Sequence, residues 1–418
     1  MDVPWNKTKE QGHAKLLTNV TVSGEEILQF NKEQFEIPDG FNRYVDNLKQ
    51  TGQSLTLVFR LIYLALLTIA IVAVVNRKHQ VVARTVKPFY IMAGIGIFVL
   101  VVVEVLNGYQ SLIFDYPTTQ SFGDYVIRQF IESIIAPFFI AVGFILPALA
   151  GESLRFEADR PRSTGGFLNA LLSSFRSRLI ARQICIGYFA AVVILGVQAV
   201  IFDLGYKYCG VWDELSWLAQ ASSSVVPAFT ALVIGVQASF SEEAMFRLFA
   251  INLLKKYGLP TVLAVFFSAA MWGFGHTGYE IFPMWFRGVE VTCIGIIMGI
   301  FYLRYGLVTV IAAHFLIDSF LTNLPYLLKP QASFDFYSAL AVVVLPLFLA
   351  LIAFMFDRNT PQRPLSLRFN AQQQFNYSLL EELCRSKTAE ELAVLKKDLA
   401  RHGWDAAIIE RIFDKYSK

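Results

Sequence analysis

Nine apolar runs lie between residues 54 and 356, most of them near 20 residues long, some a little shorter and the fifth much longer. A helix needs about 20 apolar residues to cross the hydrocarbon core of a bilayer, because it rises only about 1.5 Å per residue. We therefore predict an all-α polytopic membrane protein built as a bundle of about nine transmembrane helices. The predicted spans are residues 54–75, 88–108, 130–150, 183–203, 222–256, 260–276, 282–303, 307–323 and 336–356.

The fifth run is too long for one straight span. Pro227 lies near its start, and proline removes a backbone donor and clashes with the preceding helical turn. We expect Pro227 either to break this run or to leave its first turns as a separate segment.

Four regions follow from where the apolar runs begin and end. We predict a polar extramembrane segment over 1–50, accessory transmembrane helices over 51–205, a core that carries the charged motifs over 206–357, and a cytoplasmic helical tail over 358–418. Within the first region, residues 20–22 predict a short strand and residues 24–35 a short helix. In the tail, Thr388 and Glu391 have the spacing of a capping box that opens a helix, which Gly403 can close. Asp405 can cap a second helix to about Tyr416, which makes the tail a helical hairpin.

Charge and cysteine usage narrow the class of partners. The net charge is only +3 and no basic block is present, so nucleic acid is not an expected partner. The four cysteines are scattered without a CxxC pair, which argues against a disulfide framework or a cysteine–metal site.

Lysine and arginine are concentrated in alternate loops, and this asymmetry predicts a cytoplasmic C-terminus, at the plasma membrane if the protein is bacterial. Membrane lipid is then the surrounding partner.

Three ionisable residues interrupt the fifth run: Glu242, Glu243 and Arg247. Charges inside a membrane span are costly unless they are paired or hydrated, so they usually mark function. Glu243 and Arg247 are four residues apart, which places them on one helix face as an expected ion pair. Glu242 points about 100° away from Glu243, toward a different neighbour. A purely structural network is the alternative interpretation.

Two of the five histidines also lie in apolar runs. His276 ends the sixth run, and His314 lies in the eighth run four residues before Asp318, so those two side chains share a face. A lone buried histidine is more often a satisfied core residue than a catalyst. Two histidines, an aspartate and a glutamate pair on three successive segments instead predict one shared hydrated cavity.

The seventh run carries two further features. Gly295 and Gly299 form a GxxxG pair, which favours close helix packing. Arg287 and Glu290 are one turn apart on the same run. We interpret this charge pair as internal bracing near the site, with substrate binding as the alternative.

Together these stretches resemble the CPBP family of intramembrane proteases, which includes the prenyl-protein (CAAX) endopeptidases and bacterial relatives tied to bacteriocin processing and self-immunity. The first family motif, Glu-Glu-x-x-x-Arg, matches Glu242, Glu243 and Arg247. The second places an aromatic residue, usually Phe, four positions before a histidine, and here Trp272 stands in that place before His276. The third, His-x-x-x-Asn/Asp, matches His314 and Asp318. Ser268 also lies where family members often carry a small polar residue. The resemblance covers residues 222–323.

The resemblance implies a role for each matched residue. Glu242 would be the general base that activates a water molecule, and His276 would orient or deprotonate that water. Glu243 and Arg247 would brace the helix and tune the local field. His314 and Asp318 would stabilise the oxyanion of the tetrahedral intermediate.

Asp318 departs from the Asn variant of the third motif, because an ionised aspartate cannot donate a hydrogen bond. It must be protonated, hold His314 as an imidazolium, or bind a metal. Glu242, His276, His314 and Asp318 form a plausible set of ligands for Zn²⁺ or another divalent metal, with water as a further ligand. The chain has no HExxH motif, so a metal-free glutamate mechanism stays open beside the metallopeptidase mechanism.

Three functions are consistent with these motifs. The first is an intramembrane endopeptidase that cleaves a peptide or lipidated peptide by glutamate-activated water. The second is a non-proteolytic scaffold or bacteriocin self-immunity protein of the same family. The third is a transporter that uses the buried charges, which would predict two similar halves; the sequence shows no inverted repeat.

Overall fold

A computed structural model gives the architecture of the chain. The structure describes residues 15–36, 39–78, 81–109, 116–117, 119–158, 178–213, 224–328, 333–355, 371–385 and 387–402, together with positions 404, 408, 409, 412, 413 and 416. The predicted closing residue Gly403 and the predicted cap Asp405 lie outside the described residues.

The first described element is a β-hairpin. Strand β1 (Lys15–Ser23) pairs antiparallel with β2 (Glu26–Glu36), and Ser23 lies opposite Glu26. Gly24 closes the two-residue turn with a φ of +64°, a conformation that glycine adopts without steric cost. The predicted strand at residues 20–22 is confirmed. The helix predicted over 24–35 is wrong, because these residues pair with β1 and gain the cross-strand hydrogen bonds that a lone segment lacks.

Helices make up nearly all of the rest of the described chain. They are α1 (Asp39–Arg77), α2 (Val81–Asn107), α3 (Phe122–Ala158), α4 (Arg178–Leu204, prolonged by a π-helical turn Gly205–Cys209), α5 (Pro227–Glu242), the π-helical segment Glu243–Ala250, α6 (Ile251–Lys256), α7 (Thr261–Phe274), α8 (Met284–Tyr305), α9 (Leu307–Leu327), α10 (Phe334–Met355), α11 (Ala371–Cys384) and α12 (Ala389–Arg401). The short strands β3 (Trp212–Asp213) and β4 (Ile281–Phe282) pair antiparallel.

Seven helices among the described residues are long and apolar enough to cross a membrane. They are Asp39–Arg77, Lys87–Asn107, Phe122–Arg155, Arg178–Cys209, Met284–Tyr305, Leu307–Leu327 and Phe334–Met355. The protein is therefore an all-α polytopic membrane protein, as predicted. The fifth and sixth predicted spans correspond to shorter helices, so the total of nine stays a prediction. Pro227 is the first residue of α5, where its missing N–H leaves no bond unmade.

The chain divides into two compact units. Of the described residues, those within 1–63, 196–216 and 269–295 form unit 1, and those within 64–195, 217–268 and 296–418 form unit 2. Glycines allow close backbone approach in unit 2: a Cβ on Gly151 would lie 2.8 Å from the Leu248 carbonyl oxygen, and one on Gly187 would lie 2.7 Å from that of Thr309. In unit 1, the rings of Phe59 and Phe274 stack at 5.5 Å.

The GxxxG pair of α8 packs as the sequence predicts. In unit 1, a Cβ on Gly295 would lie 2.9 Å from the Ala269 methyl group, and in unit 2 one on Gly299 would lie 2.6 Å from a Val265 methyl group. Both contacts are with α7, so small residues let α7 and α8 approach closely.

The C-terminal tail has its own apolar core. The capping box at Thr388 and Glu391 is present and opens α12, as predicted. The buried core residues of the tail come from α11, α12 and the last described positions: Leu380, Cys384, Leu392, Leu399, Ile408, Ile409, Ile412 and Phe413. Helix α11 was not predicted from the sequence, because its apolar positions pack with residues further along the chain.

Candidate functional site

The π-helical segment Glu243–Ala250 forms the centre of the candidate site in unit 2. All eight of its residues are buried. π-Helical geometry is rare, and it is frequently found at functional sites because the wider turn displaces side chains from α-helical positions. The change from α5 to the π segment falls between Glu242 and Glu243. The two adjacent carboxylates therefore belong to different helical geometries.

Two contacts support the π segment. The Ser268 hydroxyl on α7 donates to the Phe246 carbonyl at 2.5 Å, which gives this buried backbone oxygen a partner outside its own helix. On α3, Gly151 brings its backbone against Leu248. The small polar residue singled out at position 268 thus stabilises the irregular segment.

Glu243 connects the π segment to α9. Its Oε1 atom is 3.1 Å from Arg247 Nη1 and 2.8 Å from His314 Nδ1. The side chains of Glu243, Arg247 and His314 are 0%, 2% and 6% exposed. The predicted Glu243–Arg247 pair is present, and Glu243 also fixes the ring orientation of His314.

The Nε2 side of His314 faces two other carboxylates. Asp318 Oδ2 lies 3.4 Å from Nε2, and Glu242 Oε2 lies 4.0 Å from the same nitrogen. Glu242 and Asp318 have side chains 27% and 25% exposed, unlike the buried Glu243. The cluster therefore has a buried side, Glu243 with Arg247, and an accessible side, Glu242 with Asp318.

This arrangement suits a protonated His314. Neutral imidazole has one donor and one acceptor nitrogen, whereas imidazolium donates from both nitrogens. Carboxylates lie within hydrogen-bond reach of Nδ1 and near Nε2, so an imidazolium can serve both. That Asp318 holds His314 as an imidazolium stays a prediction.

His276 belongs to unit 1, where neighbouring residues fix its ring. Its Nδ1 is 2.7 Å from the Trp272 carbonyl oxygen, its ring is 5.2 Å edge-on from Trp272, and it stacks on Tyr279 at 5.7 Å. A carbonyl only accepts, so Nδ1 carries the proton and Nε2 is the acceptor in the neutral ring. The placement of His276 in one cavity with Glu242 and His314 stays a prediction.

Tyr279 connects His276 to the charge pair of α8. The Arg287 guanidinium lies over the Tyr279 ring at 5.3 Å, and Arg287 Nη1 contacts Glu290 Oε2 at 2.5 Å. The Gln198 amide donates to Glu290 Oε1 at 3.0 Å. This is the geometry expected of internal bracing, because the pair supports the aromatic residue on which His276 stacks.

Two polar side chains with partners distant in sequence, Gln198 and Glu152, were not predicted from the sequence. Gln198 escaped notice because a single amide in an apolar run has no partner nearby in sequence. Glu152, 3% exposed at the end of α3, lies 3.5 Å from both Tyr90 and Arg155. The spacing of Glu152 and Arg155, three residues apart at the end of an apolar run, was the signal that could have found it.

No group of three or more His, Cys, Asp or Glu side chains in the described part of the chain has a geometry suited to holding a metal ion. The set Glu242, His276, His314 and Asp318 does not form such a group there. Metal dependence stays a prediction.

Comparison with known proteins gives a family match in the part of the chain that contains the candidate site. Residues 224–320 match the family model "Type II CAAX prenyl endopeptidase Rce1-like". The chain is also similar to the sporulation-killing factor biosynthesis protein SkfC of Bacillus subtilis (strain 168), 28% identical over 167 residues. That alignment covers 38% of this chain and 32% of the relative, so the chain spans about a third of the relative's length. No solved structure matches the chain with significance.

Proposed function

We propose that this multi-pass membrane protein, whose segment 224–320 matches the Rce1-like family model of type II CAAX prenyl endopeptidases, is an intramembrane endopeptidase that hydrolyses a peptide bond with a glutamate-activated water. The proposal rests on the position of His314. Its Nδ1 faces the buried Glu243, which pairs with Arg247, and its Nε2 faces the accessible Glu242 and Asp318. Water and a substrate can approach the accessible side, which carries Glu242 and Asp318, whereas Glu243 is buried.

Glu242 is the general base in this proposal. Its carboxylate removes a proton from a water molecule, whose oxygen attacks the carbonyl carbon of the scissile amide. The electrons of the C=O bond move onto the carbonyl oxygen, which becomes an oxyanion. When this tetrahedral intermediate collapses, the C–N bond breaks and the proton taken by Glu242 moves to the departing amine. The products are a carboxylic acid and an amine.

His314 stabilises the oxyanion in this proposal. Its Nδ1 is held by Glu243, so the Nε2–H group is the donor directed toward the accessible side. A donor fixed before the reaction stabilises developing charge without reorganisation during the step. Asp318 keeps the ring charged and oriented, and Glu243 with Arg247 positions it from behind. His276 assists in orienting the water.

The substrate class is a peptide or lipidated peptide that reaches the site from the predicted cytoplasmic side. A plasma membrane location in a bacterium and a cytoplasmic C-terminus belong to the same proposal, supported by the distribution of lysine and arginine.

Peptide cleavage by the purified full-length protein in detergent tests the proposal. We expect turnover by the wild type and its loss in Glu242→Gln, His276→Ala and His314→Ala. Asp203→Asn is a matched control, because Asp203 is 58% exposed and pairs with the exposed residue Lys207. Normal turnover in all three site variants would reject the enzyme and favour the non-proteolytic scaffold or immunity function.

The same assay decides the role of a metal. Each protein is measured before and after exhaustive chelation and after addition of Zn²⁺. Activity that survives chelation identifies the metal-free glutamate mechanism. Activity that is lost and then restored by the ion identifies a metallopeptidase.

A further inference from the structure

His276 lies in a turn, residues 275–280, that belongs to no helix or strand. Helix α7 ends at Phe274 before this turn, and strand β4 begins at Ile281 after it. The His276 backbone N–H donates to the Gly273 carbonyl at 3.0 Å. Bonds within a short turn set its shape, whereas its position depends on the rigid elements packed against it. The neighbours of this turn in unit 1 therefore decide where the His276 ring lies.

The first half of α1 packs against the turn along one helix face. Four residues of α1 make contacts with the turn or with the end of α7: Lys49, Gly52, Thr56 and Phe59. They are three, four and three residues apart, so they share one face over about 15 Å. Their partners follow in reverse order along the chain. Lys49 Nζ lies 2.9 Å from Glu280 Oε1 at one end. Phe59 stacks on Phe274 at the other end, so this contact face of α1 runs beside the whole turn.

Two threonine hydroxyls join α1 to the turn beside His276. Thr56 Oγ1 and Thr277 Oγ1 lie 3.2 Å apart. Thr277 Oγ1 also lies 2.9 Å from the Phe274 carbonyl oxygen and 3.4 Å from the Gly52 carbonyl oxygen. A hydroxyl has one proton, so both hydroxyls are satisfied when Thr56 donates to Thr277 and Thr277 donates to a carbonyl. Both threonines are buried, so water cannot replace these bonds without cost.

Glycines allow α1 to approach the turn this closely. A Cβ on Gly52 would lie 2.5 Å from the Thr277 carbonyl oxygen, and one on Gly278 would lie 2.9 Å from Thr56 Oγ1. Both separations are too short for a methyl group in a close-packed interior. A side chain at either position would therefore push α1 and the turn apart.

The contact face of α1 lies outside the segment that matches a known family. The matched segment 224–320 includes the turn, whereas α1 ends at Arg77. We propose that Thr56 is a positioning residue for His276, and this role rests on the proposed function, in which His276 orients the water. Thr56 acts through Thr277, the residue next to His276 in the chain.

Misplacing His276 slows the chemical step without changing the groups that hold the substrate. The expected loss is therefore in kcat and not in KM. A misplacement of about 1 Å can cost about a hundredfold in rate, so we expect the partial loosening in Thr56→Val to lower kcat about tenfold. Thr56→Ser keeps the hydroxyl and is expected to retain the wild-type kcat.

Peptide cleavage by the purified full-length protein measures kcat and KM for these variants. Thr51→Val is the matched control, because the exposed Thr51 hydroxyl bonds the Asn47 carbonyl of its own helix. It removes the same group from the same half of α1 and should leave kcat unchanged. Gly52→Ala keeps every hydroxyl and separates α1 from the turn, so it should lower kcat as Thr56→Val does.

Histidine modification by diethyl pyrocarbonate measures the position of His276 without turnover. The reagent acylates a neutral imidazole nitrogen that it can reach, and peptide mass spectrometry follows each histidine separately. His402, whose side chain is 70% exposed, is the internal reference. We expect the rate at His276 to rise about fivefold in Thr56→Val, the population change produced by the loss of one buried hydrogen bond. Thr51→Val should leave it unchanged.

The two measurements separate this role from the proposed function. An unchanged modification rate at His276 in both Thr56→Val and Gly52→Ala would overturn the positioning role, whatever the activity. A faster rate with a wild-type kcat would also overturn it, because the turn would then move without affecting the reaction. An equal loss of kcat in Thr56→Ser would show that the hydroxyl is not responsible. Absence of turnover in the wild type would instead reject the proposed function, while the modification rates still decide whether α1 fixes the turn.

Discussion

The π segment of the candidate site and the first turn of α12 in the tail each contain one glutamate with close hydrogen-bond partners. Glu243 is 0% exposed and contacts Arg247 and His314. Glu391 is exposed and accepts from the Thr388 backbone N–H at 2.8 Å and its hydroxyl at 2.9 Å. The distances are alike, but water can replace the partner of Glu391 and cannot replace that of Glu243. Burial therefore decides what the loss of one partner costs.

The largest effect on activity is expected from a substitution of Glu242, on the accessible side of the cluster. Glu242→Gln removes the proposed base and is expected to lower kcat by a factor of about 10² to 10⁴. Because the Glu242 side chain is 27% exposed, the melting temperature should change little. Parallel peptide cleavage and thermal unfolding measurements check this separation. A variant that keeps its activity, or loses it only because the protein unfolds, would contradict the proposed role.

Arg247→Met is expected to produce the largest loss of stability. It leaves the Glu243 charge buried without its arginine, at a cost of about 3–5 kcal/mol. Denaturant unfolding in detergent measures the change. The double variant Glu243→Gln with Arg247→Met should recover most of it, because the buried carboxylate that lost its arginine is also removed while Asp318 still faces His314. A double variant no more stable than Arg247→Met would show that packing, and not charge, dominates there.

Ser268→Ala tests the support of the π segment. It removes the donor to the Phe246 carbonyl and should cost about 1–3 kcal/mol, the penalty for a buried polar group without a partner. Ser153→Ala is the matched control, because this buried serine bonds the Leu149 carbonyl one turn earlier within its own helix. We expect a smaller loss for the control. Equal losses would show that the hydrogen bond between helices has no special role.

The smallest effect is expected at Glu391. The Thr388 backbone N–H, and next its hydroxyl, lower the pKa of Glu391 below its ordinary value of 4.5. A lowered folded-state pKa means that the capping stabilisation is complete above the ordinary value and is lost as pH falls through the folded pKa. Amide hydrogen exchange of residues 388–401, corrected for intrinsic rates, should therefore become faster as the pH falls below the ordinary pKa of Glu391. Glu391→Gln keeps an acceptor that does not titrate, so its exchange should be independent of pH there.

Local spacing predicted several features correctly because the interacting residues are close in sequence. Pro227 starts α5, Thr388 and Glu391 cap α12, and Glu243 reaches Arg247 four residues away. Each depends on backbone geometry within one or two turns. The family motifs also fall within the matched segment 224–320.

Features that depend on distant partners were not predictable in this way. Residues 26–36 form a strand because β1 lies beside them, and α11 buries its apolar residues against the end of the chain. The π segment has no recognised sequence signature, and its Phe246 carbonyl is satisfied by Ser268, 22 residues later. Such contacts stabilise a local structure that its own residues do not specify.

The sequence alone determined that this chain crosses a membrane and carries charged groups inside apolar spans, because hydrophobic length and ionisable residues are properties of the residues themselves. Only the tertiary structure decided that Glu243 is buried against His314 while its neighbour Glu242 stays accessible. The physical reason is that solvent exposure and hydrogen-bond partners come from helices far apart in sequence. Two identical adjacent side chains therefore acquire different chemistry from the fold around them.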